Sequence, residues 1–301
     1  MLDKILRFVD VWKEEGPRSS ISETGSYIKG QGFKLYTVFL PQQKLFNEQW
    51  EVAIILDACR PDTLKEVAPN FDWLPEFDTK YSVGPNSPKW MDKTFSGVDE
   101  TKLSETAYVT ANPFSKEHAP DKKMGMIEEV WRYAWDDDLG TVPARPVTDI
   151  AINTIRNNHE RVIVHYMQPH FPSIPDNMGF KIEKENGEKE RWIWDEKPMK
   201  EPGKDRIYSA YKANLEYVLN EVEILLNNID SERVVITADH ANAFGEFGIW
   251  GHPGNQPAPI VLRVPWIETE ASNTGDHQPE NYMYDNTSPD INDQLEALGY
   301  R

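Results

Sequence analysis

Three short apolar runs, each ending on groups that can hold a cation or a proton, constrain this chain more than any other feature. Residues 52–56 (VAIIL) run into Asp57. Residues 161–167 (RVIVHYM) run into Gln168, Pro169 and His170, and residues 233–237 (RVVIT) into Ala238, Asp239 and His240. β-Branched runs with no polar break are expected of strands buried on both faces, and such strands need helices above and below them. Helical stretches lie between them. Residues 146–158 carry Pro near their start. Residues 205–228 place Tyr208, Tyr211, Leu215, Val218, Leu219, Val222 and Leu225 on one side. Residues 259–264 (PIVLRV) read as a fourth strand and 107–110 as a fifth. The expected fold is α/β, a three-layer αβα sandwich with a mostly parallel central sheet.

The 301 residues suffice for a single catalytic domain over 1–301, with no internal repeat and no linker. Residues 183–204, charged and carrying Gly and Pro, read as a surface insertion. A polar C-terminal segment covers 268–301. Residues 268–289 are its acidic part, and a short helix at 291–298 stops at Gly299. Hydrophobic residues make up 39% of the chain, and ten Trp with twelve Tyr argue for a packed core rather than disorder. Asp plus Glu number 50 against 32 Lys plus Arg, a formal net charge of −18. This excess excludes nucleic acid and anionic membranes as natural partners. It fits a chain that stays soluble in high salt, and equally an ordinary acidic protein. An anionic substrate would need a bound cation to reverse the local field. Cys59 is the single cysteine, so no intrachain disulfide forms. Residues 1–16 pattern as an amphipathic helix that docks on the body of the protein. No run approaches the ~20 apolar residues of an integral membrane segment. The resulting expectation is a soluble cytoplasmic protein.

In a doubly wound sheet, ligands bind beyond the carboxyl ends of the strands. Here three such ends offer Asp57, His170, and Asp239 with His240. Carboxylate and imidazole are the ligands that Zn²⁺ and Mn²⁺ prefer. The segment 81–91 (YSVGPNSPKWM) adds a tight Gly-Pro-Asn loop followed by a helix whose apolar residues are Trp90, Met91 and Phe95. Ser87 falls at the helix start, where backbone N–H groups favour an anion, or where a serine simply caps the helix. His165 alternates with Tyr166 along its strand and reads as a packed sheet histidine.

The order of these pieces resembles the alkaline phosphatase and sulfatase superfamily. ILDACRPDTL is similar to its first metal-ligand strand, and GPNSPKW stands in the place of its nucleophile loop. HYMQPHFP resembles its His-x-Pro motif, VVITADHANAFGEFGIWGHPG its Asp-His block, and LEALGY its chain ending. The resemblance implies an alkaline phosphatase-like fold and a single divalent cation on Asp57, Ser87, Asp239 and His240. Zn²⁺ or Mn²⁺ is the first expectation, with Ca²⁺ or Mg²⁺ as alternatives. His252 follows His240 by twelve residues (252 − 240 = 12), a spacing similar to that of the lipid A phosphoethanolamine transferases. By that likeness His252 and His170 serve the substrate phosphate or a second metal, and Lys89 the charge of the transferring group.

The departures from the pattern bear on the chemistry. Cys59-Arg60-Pro61 starts like the Cys-x-Pro-x-Arg of sulfatases, but Thr63 stands in the place of the Arg and Cys59 sits on the metal strand. An unmodified Ser87 favours phosphoryl over sulfuryl transfer. Ala241 and Asn242 replace the usual Gly-Glu. Tyr166 stands where two-zinc phosphodiesterases carry Asp, so a second metal would lack a carboxylate. The expected activity is hydrolysis of a phosphate ester, with sulfate as the alternative, through a covalent phosphoserine. The substrate would be a small molecule or glycan ester. The alternatives are transfer of a phospho-substituent to a glycan or lipid, and an inactive binding module of the same fold.

Overall fold

The computed structural model describes residues 39–157, 159–178, 203–282 and 291–299, with the short pieces 32–33, 37, 181–182 and 191–193. Seven strands make one sheet: β1 (Val52–Leu56), β2 (Asp78–Tyr81), β3 (Thr106–Thr110), β4 (Met126–Glu129), β5 (Arg161–Tyr166), β6 (Ser231–Thr237) and β7 (Arg263–Ala271). Their order across the sheet is β2-β7-β6-β1-β5-β3-β4. Only β7 is reversed, pairing antiparallel with both β2 and β6. β1 lies at the centre, parallel to β5 and to β6, with Leu56 opposite Tyr166 and Ile55 opposite Thr237. Every side chain of VAIIL is buried, as a central strand covered on both faces requires.

Alternate residues of the strands feed two separate cores. Val52, Ile54, Leu56, Val162, Val164, Val234 and Ile236 face a layer containing α3 (Ala144–Arg156) and α4 (Lys204–Leu226), whose Ala151, Ile152, Leu215, Val218 and Val222 meet them. Ala53, Ile55, Ile163, Tyr108 and Val235 face α2 (Ser87–Phe95) through Trp90, Met91 and Phe95, with Leu45, Phe46 and Trp50 beside them. Each such aliphatic side chain contributes ~1.5–3 kcal/mol on burial. This pattern seats α2, and Ser87 with it, on the same face as the odd-numbered residues of β1.

The fourth expected strand is displaced. Pro259–Leu262 form a helical turn with Pro at its first position, and the strand begins at Arg263 and runs to Ala271. An apolar run opened by Pro suits a helix start as well as a strand edge. The strand therefore takes the first residues of the polar, acidic stretch 268–289. Residues 272–282 beyond it are tied down by Thr274, whose N–H and hydroxyl both donate to the Asn227 carbonyl. The amphipathic 1–16 segment, most of the 183–204 insertion and residues 283–290 lie outside the described residues. The terminal helix, α5 (Ile291–Ala297), is followed by Gly299 at φ 87°. Helix α1 (Pro61–Val67) and the strands β2 and β4 were not anticipated.

Candidate active site

Residues just beyond the carboxyl ends of β1, β3, β5 and β6 meet the start of α2 at one place. Asp57 continues β1 and keeps its backbone N–H on the Tyr166 carbonyl of β5 at 3.2 Å. Asp239 and His240 follow β6. Asp239 accepts through Oδ1 from the backbone N–H groups of Ala58 (3.1 Å) and His240 (2.8 Å). The loop before α2 is anchored to these strand ends, because the Ser82 hydroxyl donates to the Asp239 carbonyl and the Ser82 N–H to the Leu262 carbonyl. Gly84 then passes directly over the helix start. A Cβ there would overlap the backbone nitrogen of Trp90 and come within 2.6 Å of its Cα.

Ser87 is the first residue of α2. Its cap is Asn86, whose side chain accepts from the Lys89 N–H at 3.2 Å. The cap reading of Ser87 is thereby replaced, and so is the expectation that backbone donors after Ser87 would hold an anion. Pro88 has no N–H, the Lys89 N–H is taken by Asn86 Oδ1, and the Trp90 N–H is taken by the Asn86 carbonyl.

Ser87 Oγ lies 3.2 Å from Asp57 Oδ2 and 3.5 Å from His240 Nε2. His240 Nε2 is 3.5 Å from Asp57 Oδ1 and 3.3 Å from Asp239 Oδ2. One ligand atom each from Asp57, Asp239 and His240 falls within 4.8 Å of the others, and all three residues and Ser87 are fully buried. His240 Nδ1 faces the Ala241 carbonyl at 3.2 Å, and a carbonyl only accepts. The ring proton therefore sits on Nδ1, and Nε2 turns its lone pair toward the two carboxylates. Asp57 Oδ1 and Asp239 Oδ2 have no hydrogen-bond partner. Lone pairs crowded together in a buried space are costly unless a cation lies among them. The set Asp57 Oδ1, Asp239 Oδ2, His240 Nε2 and Ser87 Oγ thus fits a small divalent cation with oxygen and imidazole ligands.

Electrostatics within the chain point the same way. Burial raises the Asp57 carboxyl well above the usual carboxylate range, and the neighbouring Asp239 charge raises it further. Burial pushes Asp239 up too, but His240 and His165 outweigh it and leave the group below its ordinary value. Two buried carboxylates at this separation favour one proton between them when no cation is present.

The structure brings together Asp57, Ser87, Asp239 and His240. His252 packs its ring 4.3 Å from that of His240 and 5.0 Å from that of His170, so the three imidazoles form one group. Asn242, one of the residues departing from the family pattern, pairs with His252 Nδ1 at 2.7 Å. His170 Nδ1 faces the Phe171 carbonyl at 2.6 Å, so its proton too is on Nδ1. Burial holds His170 at about 4. Lys89 is exposed and donates through Nζ to the Gly254 carbonyl, at the rim. Tyr166 points to the opposite face of the sheet, with its hydroxyl 2.9 Å from Thr148 Oγ1. Cys59 is buried, its thiol pushed up by burial, and it lies outside the 81–86 loop.

One buried residue of the site was missed in the sequence. Asn112 reaches it from the end of β3 and donates through Nδ2 to Asp57 Oδ2 at 2.8 Å. Its Oδ1 accepts the Phe114 N–H at 3.0 Å, which sets which end of the amide faces the carboxylate. The available signal was a fourth strand ending on a polar residue at the same sheet edge. His165, expected to be a packed sheet histidine, is packed and also places Nε2 3.8 Å from Asp239 Oδ2.

No family model and no curated sequence matches this chain. Solved structures do. The soluble domain of lipooligosaccharide phosphoethanolamine transferase A from Neisseria meningitidis aligns at TM-score 0.51 and 15% identity, over 78% of this chain and 80% of that one. The integral membrane form of the same transferase aligns at TM-score 0.53 and 14% identity, over 92% of this chain and 60% of that one. The C-terminal periplasmic domain of EcEptC from Escherichia coli, in complex with zinc, aligns at TM-score 0.48 and 10% identity, over 77% of each chain. The cytoplasmic expectation is overturned by this comparison, since the structure that aligns at TM-score 0.53 belongs to an integral membrane protein. It had rested on the lack of a long apolar run, and that lack does not report a compartment. Among the described residues no helix is long and apolar enough to cross a membrane. The two alignments above TM-score 0.5 show that this chain shares the fold of that transferase's soluble domain, and its mostly parallel sheet with flanking helices is the alkaline phosphatase-like architecture that the resemblance implied.

Proposed function

We propose that this chain is a metal-dependent enzyme acting on phosphate esters, with Ser87 as the nucleophile and a phosphoserine as the covalent intermediate. The observation that carries this reading is a buried serine hydroxyl 3.2 Å from Asp57 Oδ2 and 3.5 Å from His240 Nε2, beside two carboxylate oxygens with no partner. Asp57, Ser87, Asp239 and His240 would hold one divalent cation, Zn²⁺ or Mn²⁺ by donor type. Such a cation acidifies the serine hydroxyl and neutralises an oxygen of the transferring group.

The chain's own residues supply the rest. Asp57 Oδ2 accepts from the Ser87 hydroxyl and is the atom placed to take its proton. The Ser87 Oγ–P bond forms as the ester O–P bond breaks, and the departing oxygen takes a proton from solvent. Water or an acceptor alcohol then attacks the phosphoserine and returns Ser87. His170 at neutral pH is an uncharged ring whose Nε2 carries a lone pair, so it suits a second cation rather than donation to a phosphoryl oxygen. Cys59 is buried and follows β1 rather than standing in the loop before α2, so Ser87 and not a modified cysteine is the nucleophile of this reading.

Transfer to a lipid or glycan is the second reading, supported by the likeness to a lipooligosaccharide phosphoethanolamine transferase. An extracytoplasmic location belongs to the same proposal. Three measurements test it: metal content, turnover of p-nitrophenyl phosphate, bis-p-nitrophenyl phosphate and p-nitrophenyl sulfate, and acid-quenched mass spectrometry for a phosphate adduct on Ser87. Partition of product between water and added glycerol separates hydrolase from transferase. Full activity in Ser87→Ala would eliminate serine catalysis.

A further inference from the structure

His165 occupies an unusual place for a sheet histidine. It lies in β5 opposite Ile55 of β1 and Thr110 of β3, fully buried, with its ring against Trp90 of α2 at 5.5 Å between centroids. Nδ1 is 2.7 Å from the hydroxyl of Tyr108, which is fully buried in β3. Nε2 has no hydrogen-bond partner and lies 3.8 Å from Asp239 Oδ2, the oxygen left open toward the candidate metal site.

Which ring nitrogen carries the proton follows from its neighbours. Asp239 Oδ2 is a carboxylate oxygen and only accepts while the group is ionised. A bare Nε2 would face it lone pair to lone pair in a fully buried space. A proton on Nε2 makes the contact attractive and leaves Nδ1 to accept from Tyr108. The Tyr108 hydroxyl has its proton to give, because burial of the phenol, the largest cause, raises that group well above its usual range. The chain of donors runs from β3 through His165 to Asp239, and a closure of less than an ångström brings Nε2–H within the ordinary 2.7–3.2 Å range.

We propose that His165 is a positioning residue. Its Nε2–H, oriented by the Tyr108 hydroxyl, holds Asp239 so that Oδ2 faces the cation. The inference rests on the metal-dependent reading above. At Asp57 the partners Asn112 and Ser87 hold Oδ2 and leave Oδ1 open, whereas at Asp239 the backbone N–H groups of Ala58 and His240 hold Oδ1 and His165 approaches the open Oδ2 itself. Groups that orient a ligand in this way are worth ~10–100-fold in metal affinity.

The test is metal affinity by chelator competition, together with the Co²⁺ absorption spectrum, on wild type, His165→Leu, His165→Gln and Tyr108→Phe. Leu should weaken binding by ~10–100-fold. Gln, which keeps a donor near the Nε2 position, should recover part of the loss with the Co²⁺ bands unmoved. Phe should weaken binding less than Leu, and it reports even where a His165 variant fails to fold. Affinities equal to wild type in folded Leu and Phe variants would overturn the inference and leave the metal site standing. Co²⁺ bands displaced in Gln would make His165 a direct ligand and overturn the positioning role. A wild type that holds no metal would remove the proposed function itself, and this inference with it.

Discussion

At the scale of single residues, the site separates groups with similar burial but different tasks. Asp239 and Cys59 are both fully buried at the sheet edge, yet only Asp239 offers an open ligand atom. Asp239→Asn is expected to remove bound metal and activity together, while Cys59→Ser keeps both. The thiol, pushed up by burial, should resist iodoacetamide at pH 8 in the folded protein and react once guanidinium unfolds it. Loss of turnover in a folded Cys59→Ser variant would contradict the serine assignment. Ser87→Ala should leave the fold intact, since Asn86 rather than Ser87 caps α2. The strand-end acids and His240 were legible because each ends an unbroken apolar run. Asn112 was not, because its partner Asp57 is 55 residues away in the chain and no local pattern marks the pair.

At the scale of elements, the junction between the 81–86 loop and α2 sets where the serine hydroxyl stands. Gly84 is there for space: any side chain would meet the backbone of Trp90. Gly84→Ala should therefore cost ~1–3 kcal/mol, as overpacking does, and lower turnover by displacing Ser87. Thermal unfolding and steady-state rates check this, and an unchanged rate would mean that the loop tolerates a shift. Helices α3 and α4 were readable from their 3.6-residue stripes. The start of β7 was misplaced because Pro259 suits the opening of a helix as well as a strand. The short β2 and β4 carry Asp78, Lys80, Glu128 and Glu129, and partly exposed edge strands of that kind show no apolar run.

At the scale of the whole molecule, a chain of net charge −18 closes a sheet edge over two buried carboxylates, an arrangement that a cation would relieve. Zinc at about a hundred times its dissociation constant should stabilise the fold by ~2.7 kcal/mol, a rise in Tm of roughly 5 °C for a protein this large. The sign of the pH dependence follows from Asp57. Its folded carboxyl is raised, so without metal the stability it lends is complete below the unfolded value and is lost as pH rises through the folded value. Metal must displace that proton, so the zinc-induced rise in Tm should grow from pH 5.5 to pH 8 and shrink in Asp57→Asn. Differential scanning fluorimetry with zinc and with chelator measures both, and a rise independent of pH would remove Asp57 from the ligand set.

The amino-acid sequence by itself determined the alternation of buried strands and amphipathic helices, and the polar residues on which the strands end. Those features depend on neighbours within a few residues, where burial imposes a period of two or of 3.6. Tertiary structure alone decided which nitrogen of His240 faces the carboxylates, that Tyr166 turns away from the site while His165 turns toward Asp239, and that backbone N–H groups after Ser87 are spent on Asn86. Each depends on groups brought together by the crossing of strands distant in sequence, or on hydrogen bonds that close only when α2 is seated against the sheet.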